Sequence, residues 1–233
     1  MPVGPHRVSH TGSSEAVEDY AKALYALQRR SDGGHVATND LAERLGVTPA
    51  SASAMVKKLA ELGLADHVPY RGTRLTNDGE RLALEVLRHH RLLELYLAEH
   101  LGVPWDRVHE EAEALEHVLS EYLESRIAAK LGDPKVDPHG DPIPSESLTI
   151  DEGDTRALES LDVGERAVFV RVSDSDPEML RYLGVRGIAP GDRFEVVEKQ
   201  PFGGPIFARF GEADAVHPLG GRLAAAMRVE VSA

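Results

Sequence analysis

The stretch from Thr38 to Leu75 constrains this chain most. In TNDLAERLGVTPASASAMVKKLAELGL, a short apolar-patterned segment, Asp40–Leu45, is joined through Gly46-Val47 to a longer one ending near Leu62. Leu41, Ala42 and Leu45 form the inward face of the first helix, and Ala52, Met55, Val56 and Leu59 that of the second. Thr38 or Asn39 is placed to cap the first helix and Thr48 the second. Gly46 takes a turn conformation that other residues adopt only at a cost. Gly63-Leu64 ends the second helix. Ala65–Val68, a turn at Pro69–Gly72 and Thr73–Leu75 then read as a β-hairpin. Two helices across a tight turn, followed by a hairpin wing, form a winged helix-turn-helix. Thr48, Pro49, Ala50, Ser51 and Ser53 are small at the entry of the second helix, so that helix can lie close to base edges. Lys57 and Lys58 follow for phosphates, with Arg71 and Arg74 near the wing tip. The series points to double-stranded DNA.

Net charge at first sight disagrees. The chain of 233 residues carries −13 at neutral pH, the wrong sign for a polyanion ligand. The sign is uneven, however. Between Val36 and Thr76 the bases Arg44, Lys57, Lys58, Arg71 and Arg74 slightly outnumber Asp40, Glu43, Glu61 and Asp66, whereas acids dominate from Asp78 to Asp137. A locally basic face doubled by dimerisation is compatible with DNA.

The remaining chain is read in order. Residues 1–14 are rich in Gly, Pro and Ser and are expected to be loose. A helix follows from Glu15 to Arg30, with Ser14 as N-cap and Val17, Tyr20, Ala21, Leu24, Tyr25 and Leu27 as its apolar stripe. Asp19 near its start is, on its own, an acid at the favourable end of a helix dipole. Ser31–Gly34 is a turn. Thr76–Gly79 opens a long helix that continues or bends into His90–His100. After a loop at Gly102–Trp105, Asp106 is expected to cap a helix running to about Lys130. The apolar surface of these helices exceeds what one helix pair can bury, which points to a homodimer. Gly132–Pro144 is dense in Pro, Gly and Asp and reads as a linker, with His139 a loop residue. From about Leu158 the pattern alternates: strands at Arg166–Val172, Arg193–Glu198, Pro205–Phe210 and Arg228–Val231, and a short helix at Pro177–Gly184. The fold class is mainly α with a β-rich C-terminal domain. The divisions are 1–14, 15–76, 77–144, a linker at 145–157, and a small SH3-like barrel at 158–233.

Within the third helix region, His109-Glu110-Glu111-Ala112-Glu113-Ala114-Leu115-Glu116-His117 is expected to place His109, Glu113, Glu116 and His117 on one face, at i, i+4, i+7 and i+8. Such a face can offer several ligands to one ion, or it can be a solvated acidic surface. The pair His90 and Glu94, at i, i+4 on the preceding helix, favours a metal. Without cysteine, the ligands are nitrogen and oxygen, which suit manganese, ferrous iron or zinc.

The order of parts resembles the diphtheria-toxin-repressor family of metal-dependent transcriptional regulators over nearly the whole chain after residue 14. The segment HHRLLELYLAEHLGVPWDRVHEEAEALEHVLSEYLESRI is similar to that family's HR-x-x-E … VH-x-E-A-x-x-x-EH pattern, and HGDPIP to its linker. The resemblance implies a helical metal-binding and dimerisation domain at 77–144 and a FeoA-like version of the SH3-like barrel. It implies a primary metal site of Asp19, Glu113, Glu116 and His117, and an ancillary site of His90, Glu94 and His109. Asp174, Asp176 or Glu178 would add a barrel carboxylate. Iron-type members carry Met and Cys where this chain has Asp19 and Glu113, as the manganese-type branch does. Exchanging thioether and thiolate for carboxylates favours a hard cation. Where manganese-type members with a two-metal cluster have a second helix-1 carboxylate, this chain has Lys22, which argues against that cluster.

The implied function is a metal-activated homodimeric repressor of metal-uptake genes, binding a palindromic operator in the cytoplasm. Manganese is the expected effector, ferrous iron the second choice, and zinc or cadmium substitutes in vitro. The rival is a winged-helix regulator answering an organic ligand, with a structural His/Glu face. An enzyme is not expected, because His109–Glu113 lacks the second histidine of HExxH and there is no cysteine nucleophile. No apolar run reaches the roughly 20 residues that span a bilayer.

Overall fold

The computed structural model describes residues 14–30, 34–68, 71–211 and 215–231. The expected loose N-terminus, most of the Ser31–Gly34 turn and Pro69-Tyr70 of the wing turn lie outside these. The chain divides into two compact units, Met1–Arg88 with Glu146–Leu148, and His89–Ser145 with Thr149–Ala233.

The first unit holds α1 (Glu15–Arg30), α2 (Thr38–Arg44), α3 (Pro49–Glu61), the hairpin β1 (Ala65–Val68) and β2 (Gly72–Leu75), and the start of α4 (Asn77–Leu101). Val17, Tyr20, Ala21, Leu24, Leu41, Ala42, Ala52, Val56 and Leu59 are all buried. The helix periodicity read from the sequence thus forms one core. α2 begins at Thr38, the first of the two expected caps, and Ala37 takes the cap position without a side-chain bond. α3 is capped as its sequence asks, Thr48 Oγ1 accepting from Ser51 N at 3.1 Å. The α3 face bearing Pro49, Ala50, Ser51, Ser53, Lys57 and Lys58 is exposed, as are Arg71 and Arg74.

The wing is antiparallel, with Ala65 opposite Leu75 and Val68 opposite Gly72. Val36 adds a bridge to Thr73. Gln28 Oε1 of α1 accepts from Leu75 N at 2.8 Å. Thr76 Oγ1 donates to the Gly63 carbonyl at 2.7 Å and accepts from Gly79 N at 3.2 Å. This hydroxyl joins the end of α3 to the start of α4. Gly79 is required by proximity: a Cβ there would stand 1.9 Å from the Leu64 carbonyl oxygen.

α4 is unbroken to Leu101, so the long helix continues into His90–His100 rather than bending. The expected single helix to Lys130 is corrected. α5 (Val108–Leu115) ends, Glu116–Val118 form a 3-10 turn, Leu119 is extended, and α6 starts at Glu121 and ends at Lys130. Ser120 breaks the pattern by capping α6, its Oγ accepting from Leu123 N at 3.3 Å. Asp106 does not cap α5. Arg107 takes that position without a side-chain bond, and Asp106 pairs with Arg181 at 3.2 Å. Leu92, Leu93, Leu95, Ala112, Ile127, Ala128 and Ile143 form the helical core. Leu115, Val118, Tyr122 and Leu123, around the break, are exposed.

Gly132–Pro144 is held in place. Asp137 Oδ1 accepts from the backbone of His139 (2.8 Å) and Asp141 (3.0 Å). His139 O accepts from Val172 N at 3.0 Å, and a Cβ on Gly140 would stand 1.9 Å from the Val170 carbonyl oxygen. The β-rich part comprises β3 (Arg156–Ala157), β4 (Arg166–Val172), α7 (Pro177–Gly184), β5 (Arg193–Lys199), β6 (Ile206–Phe210), β7 (Val216–Leu219), α8 (Gly221–Ala226) and β8 (Met227–Val231). Its strand order is β3-β8-β4-β5-β6-β7, with antiparallel neighbours. β3, β7 and α8 are too short to register in the alternation. Phe169, Leu158, Leu161, Leu180, Leu183, Val196, Leu219 and Met227 fill the core, and Trp105 packs against it.

Gly79→Ala is expected to destabilise the protein by about 2–4 kcal/mol, because α4 must move away from Leu64. A denaturant midpoint unchanged from that of the parent would show that this close approach is not needed.

Candidate metal centre

α4 presents His90 and Glu94 one turn apart into the interior of the second unit. His90 Nε2 lies 3.1 Å from Glu94 Oε1 and 3.1 Å from His109 Nδ1 of α5. His109 Nδ1 is 3.4 Å from Glu94 Oε1 and 3.0 Å from Asp174 Oδ2. Asp174 follows β4, whose end is tied to the 137–141 loop. These four side chains bring ligand atoms within 4.8 Å of one another. Of the three barrel carboxylates considered, the structure brings Asp174 here. Asp176 instead caps α7 through Glu178 N and pairs with Arg222 at 3.0 Å, and Glu178 is exposed.

His90 faces a second set through its other nitrogen. Nδ1 is 2.5 Å from Glu116 Oε2 and 3.9 Å from Glu113 Oε1, and His117 Nε2 is 3.4 Å from Glu116 Oε1. Glu116, at the junction of α5 and the 3-10 turn, is buried. Asp19 sits half-buried on α1 of the first unit.

The sequence reading missed two residues. His139 is fully buried, and its Nδ1 lies 3.8 Å from Glu94 Oε2. Its Nε2 is 2.7 Å from the Trp105 carbonyl. A carbonyl only accepts, so Nε2 carries the hydrogen and Nδ1 is turned toward the carboxylate. Asp137 completes this set with Glu94 and His139. The signal was present in the spacing Asp137-x-His139, inside a Pro/Gly-dense loop too constrained to be a tether.

Glu94 is fully buried and neither oxygen receives a hydrogen bond of good geometry. Burial opposes its charge, but the facing imidazoles of His109 and His90 outweigh this and hold its carboxyl far below the ordinary range. Hydrogen bonding to Asp174, then to Glu94, pushes His109 up to about 10 against the effect of its own burial. Burial works against the charge of Asp174 too, yet His109 holds its carboxyl down. Burial raises Asp137, and the charges of Glu94 and Asp141 add to it. Burial also raises Asp141, despite Arg91 and Arg171.

The donors fit a divalent cation. Atoms about 2.1 Å from one ion and at right angles stand about 3 Å apart, close to the spacings among His90, His109, Glu94 and Asp174. The set is imidazole and carboxylate without sulfur, and the buried, unbonded Glu94 oxygens and His139 Nδ1 point inward.

A winged helix, a helical His/carboxylate centre and a six-stranded β domain in series define a metal-dependent DNA-binding regulator. The chain belongs to the iron-dependent repressor family. Its models match residues 13–73 ("Iron dependent repressor, N-terminal DNA binding domain") and 76–145 ("Iron dependent repressor, metal binding and dimerisation domain"), and a FeoA domain matches 156–231. The iron-dependent repressor IdeR of Mycobacterium tuberculosis is 31% identical over 228 residues, covering 93% of this chain and 97% of its own. The transcriptional regulator MntR of Escherichia coli O6:H1 is 36% identical over 118 residues, 51% of this chain and 74% of its own. The solved structure of a manganese-dependent transcriptional repressor in complex with manganese is 42% identical, with a TM-score of 0.86, covering 93% of this chain and all of that one.

A protonated imidazole cannot ligate. With His109 near 10 in the metal-free protein, one proton must leave for each ion bound through it at lower pH. Apparent metal affinity should therefore rise about tenfold per pH unit between pH 6 and 8. Chelator-competition titrations at three pH values measure this slope, and a flat profile would exclude His109 as a ligand.

Proposed function

We propose that this metal-dependent repressor responds to manganese, with ferrous iron as the second effector. The convergence of His90, Glu94, His109 and Asp174 in a partly buried, acid-rich pocket carries the reading. The donor set supports a hard or borderline cation over a soft one. Affinity alone rises along the first row, so preference for manganese rests on geometry and cellular supply. The name of the 42% identical structure supports manganese, and the name IdeR supports iron. Family membership favours a metal over an organic ligand.

His90, Glu94, His109 and Asp174, with His139 on the far oxygen of Glu94, would hold one ion. Glu113, Glu116 and His117, with Asp19 from α1, form the other ligand set. The contribution of Asp19 rests on the sequence resemblance. A bound cation would supply Lewis-acid charge that lets these carboxylates stay ionised side by side. Asp19 is then the residue through which α1 answers the metal. The exposed α3 face reads DNA: small residues at its entry approach base edges, while Lys57, Lys58, Arg71 and Arg74 take phosphates. The exposed Leu115, Val118, Tyr122 and Leu123 lie in the matched dimerisation domain and suit a homodimer facing a palindrome. No described helix is long and apolar enough to cross a membrane, and we place the protein in the cytoplasm.

DNA binding of the metal-stripped protein to its own promoter region, titrated separately with manganese, ferrous iron and zinc, tests this. Metal should tighten binding roughly 5- to 150-fold. Equal binding with and without metal would remove the switch. Asp19→Ala should abolish most of that gain while the variant stays folded. If Asp19→Ala keeps it, α1 is not the responding element. His139→Phe should weaken metal binding about 10- to 100-fold, read by chelator competition. Unchanged affinity would return His139 to a purely structural role.

A further inference from the structure

Two adjacent histidines on α4 hold the same residue from different sides. His90 Nδ1 meets the side chain of Glu116 at 2.5 Å. His89 Nδ1 meets the backbone carbonyl of Glu116 at 3.3 Å, and His89 Nε2 meets Glu124 Oε2 of α6 at 3.1 Å. His89 and Glu124 are both buried, at 8% and 2% exposure.

The arrangement follows from the broken helix. α5 stops at Leu115, and the chain is extended by Leu119. The last carbonyls of a helix have no partner further along it, and a buried carbonyl needs one. A carbonyl can only accept, so His89 Nδ1 carries the hydrogen and donates to Glu116. Glu124 engages the opposite nitrogen and so fixes the ring plane. Carboxylate, imidazole and backbone carbonyl form a chain across α6, α4 and the 3-10 turn. The turn carries Glu116 and, next to it, His117.

We propose that His89 and Glu124 are positioning residues for the Glu116/His117 ligand pair, holding the turn so that both side chains present to one cation. The assignment rests on the metal-responsive reading above. Neither residue needs to touch the ion. His89 sets where the backbone of Glu116 lies, and Glu124 sets the orientation of His89. Residues that orient metal ligands in this indirect way commonly change affinity by about 10- to 100-fold.

The experiment measures manganese affinity of the full-length protein by chelator competition, with a thermal melt of the metal-free form alongside. His89→Leu is placed in two backgrounds: Glu94→Gln, which disables the Glu94/His109 set, and His117→Ala, which disables the Glu116/His117 set. The expected result is a loss of about 10- to 100-fold in the Glu94→Gln background and none in the His117→Ala background. Glu124→Ala should reproduce the pattern, and Glu124→Gln, which still hydrogen-bonds to His89, should restore affinity. If His89→Leu fails to fold, Glu124→Ala carries the comparison. A lowered melting temperature with unchanged affinity in both backgrounds would overturn the proposal, as would equal weakening in both. If the parent protein binds no manganese, iron or zinc, the metal-responsive reading fails, and this assignment fails with it. If the parent binds and the variants match it, the assignment alone fails.

Discussion

Glu94 keeps a charge where water has almost no access, and the second unit is arranged around that requirement. Burying an isolated carboxylate is prohibitive, so its neighbours must supply positive charge. Three imidazoles face it from three segments: His90 from the same helix, His109 from α5 and His139 from the loop that ties the helices to the β domain. Each needs its own support. His139 is oriented by the Trp105 carbonyl and His109 by Asp174. The loop is fixed because Asp137 and Asp141 face Arg91, at 3.6 and 3.7 Å. Asp141 also lies 3.5 Å from Arg171 of β4. The protein thereby holds an excess of acid that a divalent cation can neutralise.

The break after Leu115 distributes these charges. In an unbroken helix, His109, Glu113, Glu116 and His117 would share one stripe, and a single imidazole could not reach both ends of it. With the 3-10 turn, His109 and Glu116 approach His90 at opposite ring nitrogens. His90 therefore belongs to two candidate metal-binding groups at once. Val118 and Tyr122, beside the break, face outward.

The winged helix was legible because its information is local: the Gly46 turn, the Thr48 cap and the spacing of Leu41, Val56 and Leu59 each act within a few residues. His90 and Glu94 were legible for the same reason, as an i, i+4 pair on one helix. The helix break was not, since Glu116–Leu119 contains no Pro or Gly, and the signal that ends α5 is the modest preference of Ser120 for capping α6. His139 and Asp137 were missed because their loop composition matches that of a tether, and the contacts that fix it come from distant β4. The choice among Asp174, Asp176 and Glu178 depended on where the chain leaves β4, which periodicity does not encode. Two of the three are engaged in the capping and surface charge of α7.

Asp174 belongs to the β domain, and its partners His90, Glu94 and His109 lie far upstream in the chain. During synthesis the winged helix and the helices of the second unit leave the ribosome before the strand that positions Asp174 exists. Contacts so distant in sequence form late. A newly made chain can thus fold its winged helix before the cluster of His90, Glu94, His109 and Asp174 is whole. On the proposed metal-responsive reading, the carboxylate from the β domain would then be a completion signal, tying full metal response to a chain whose last domain has folded.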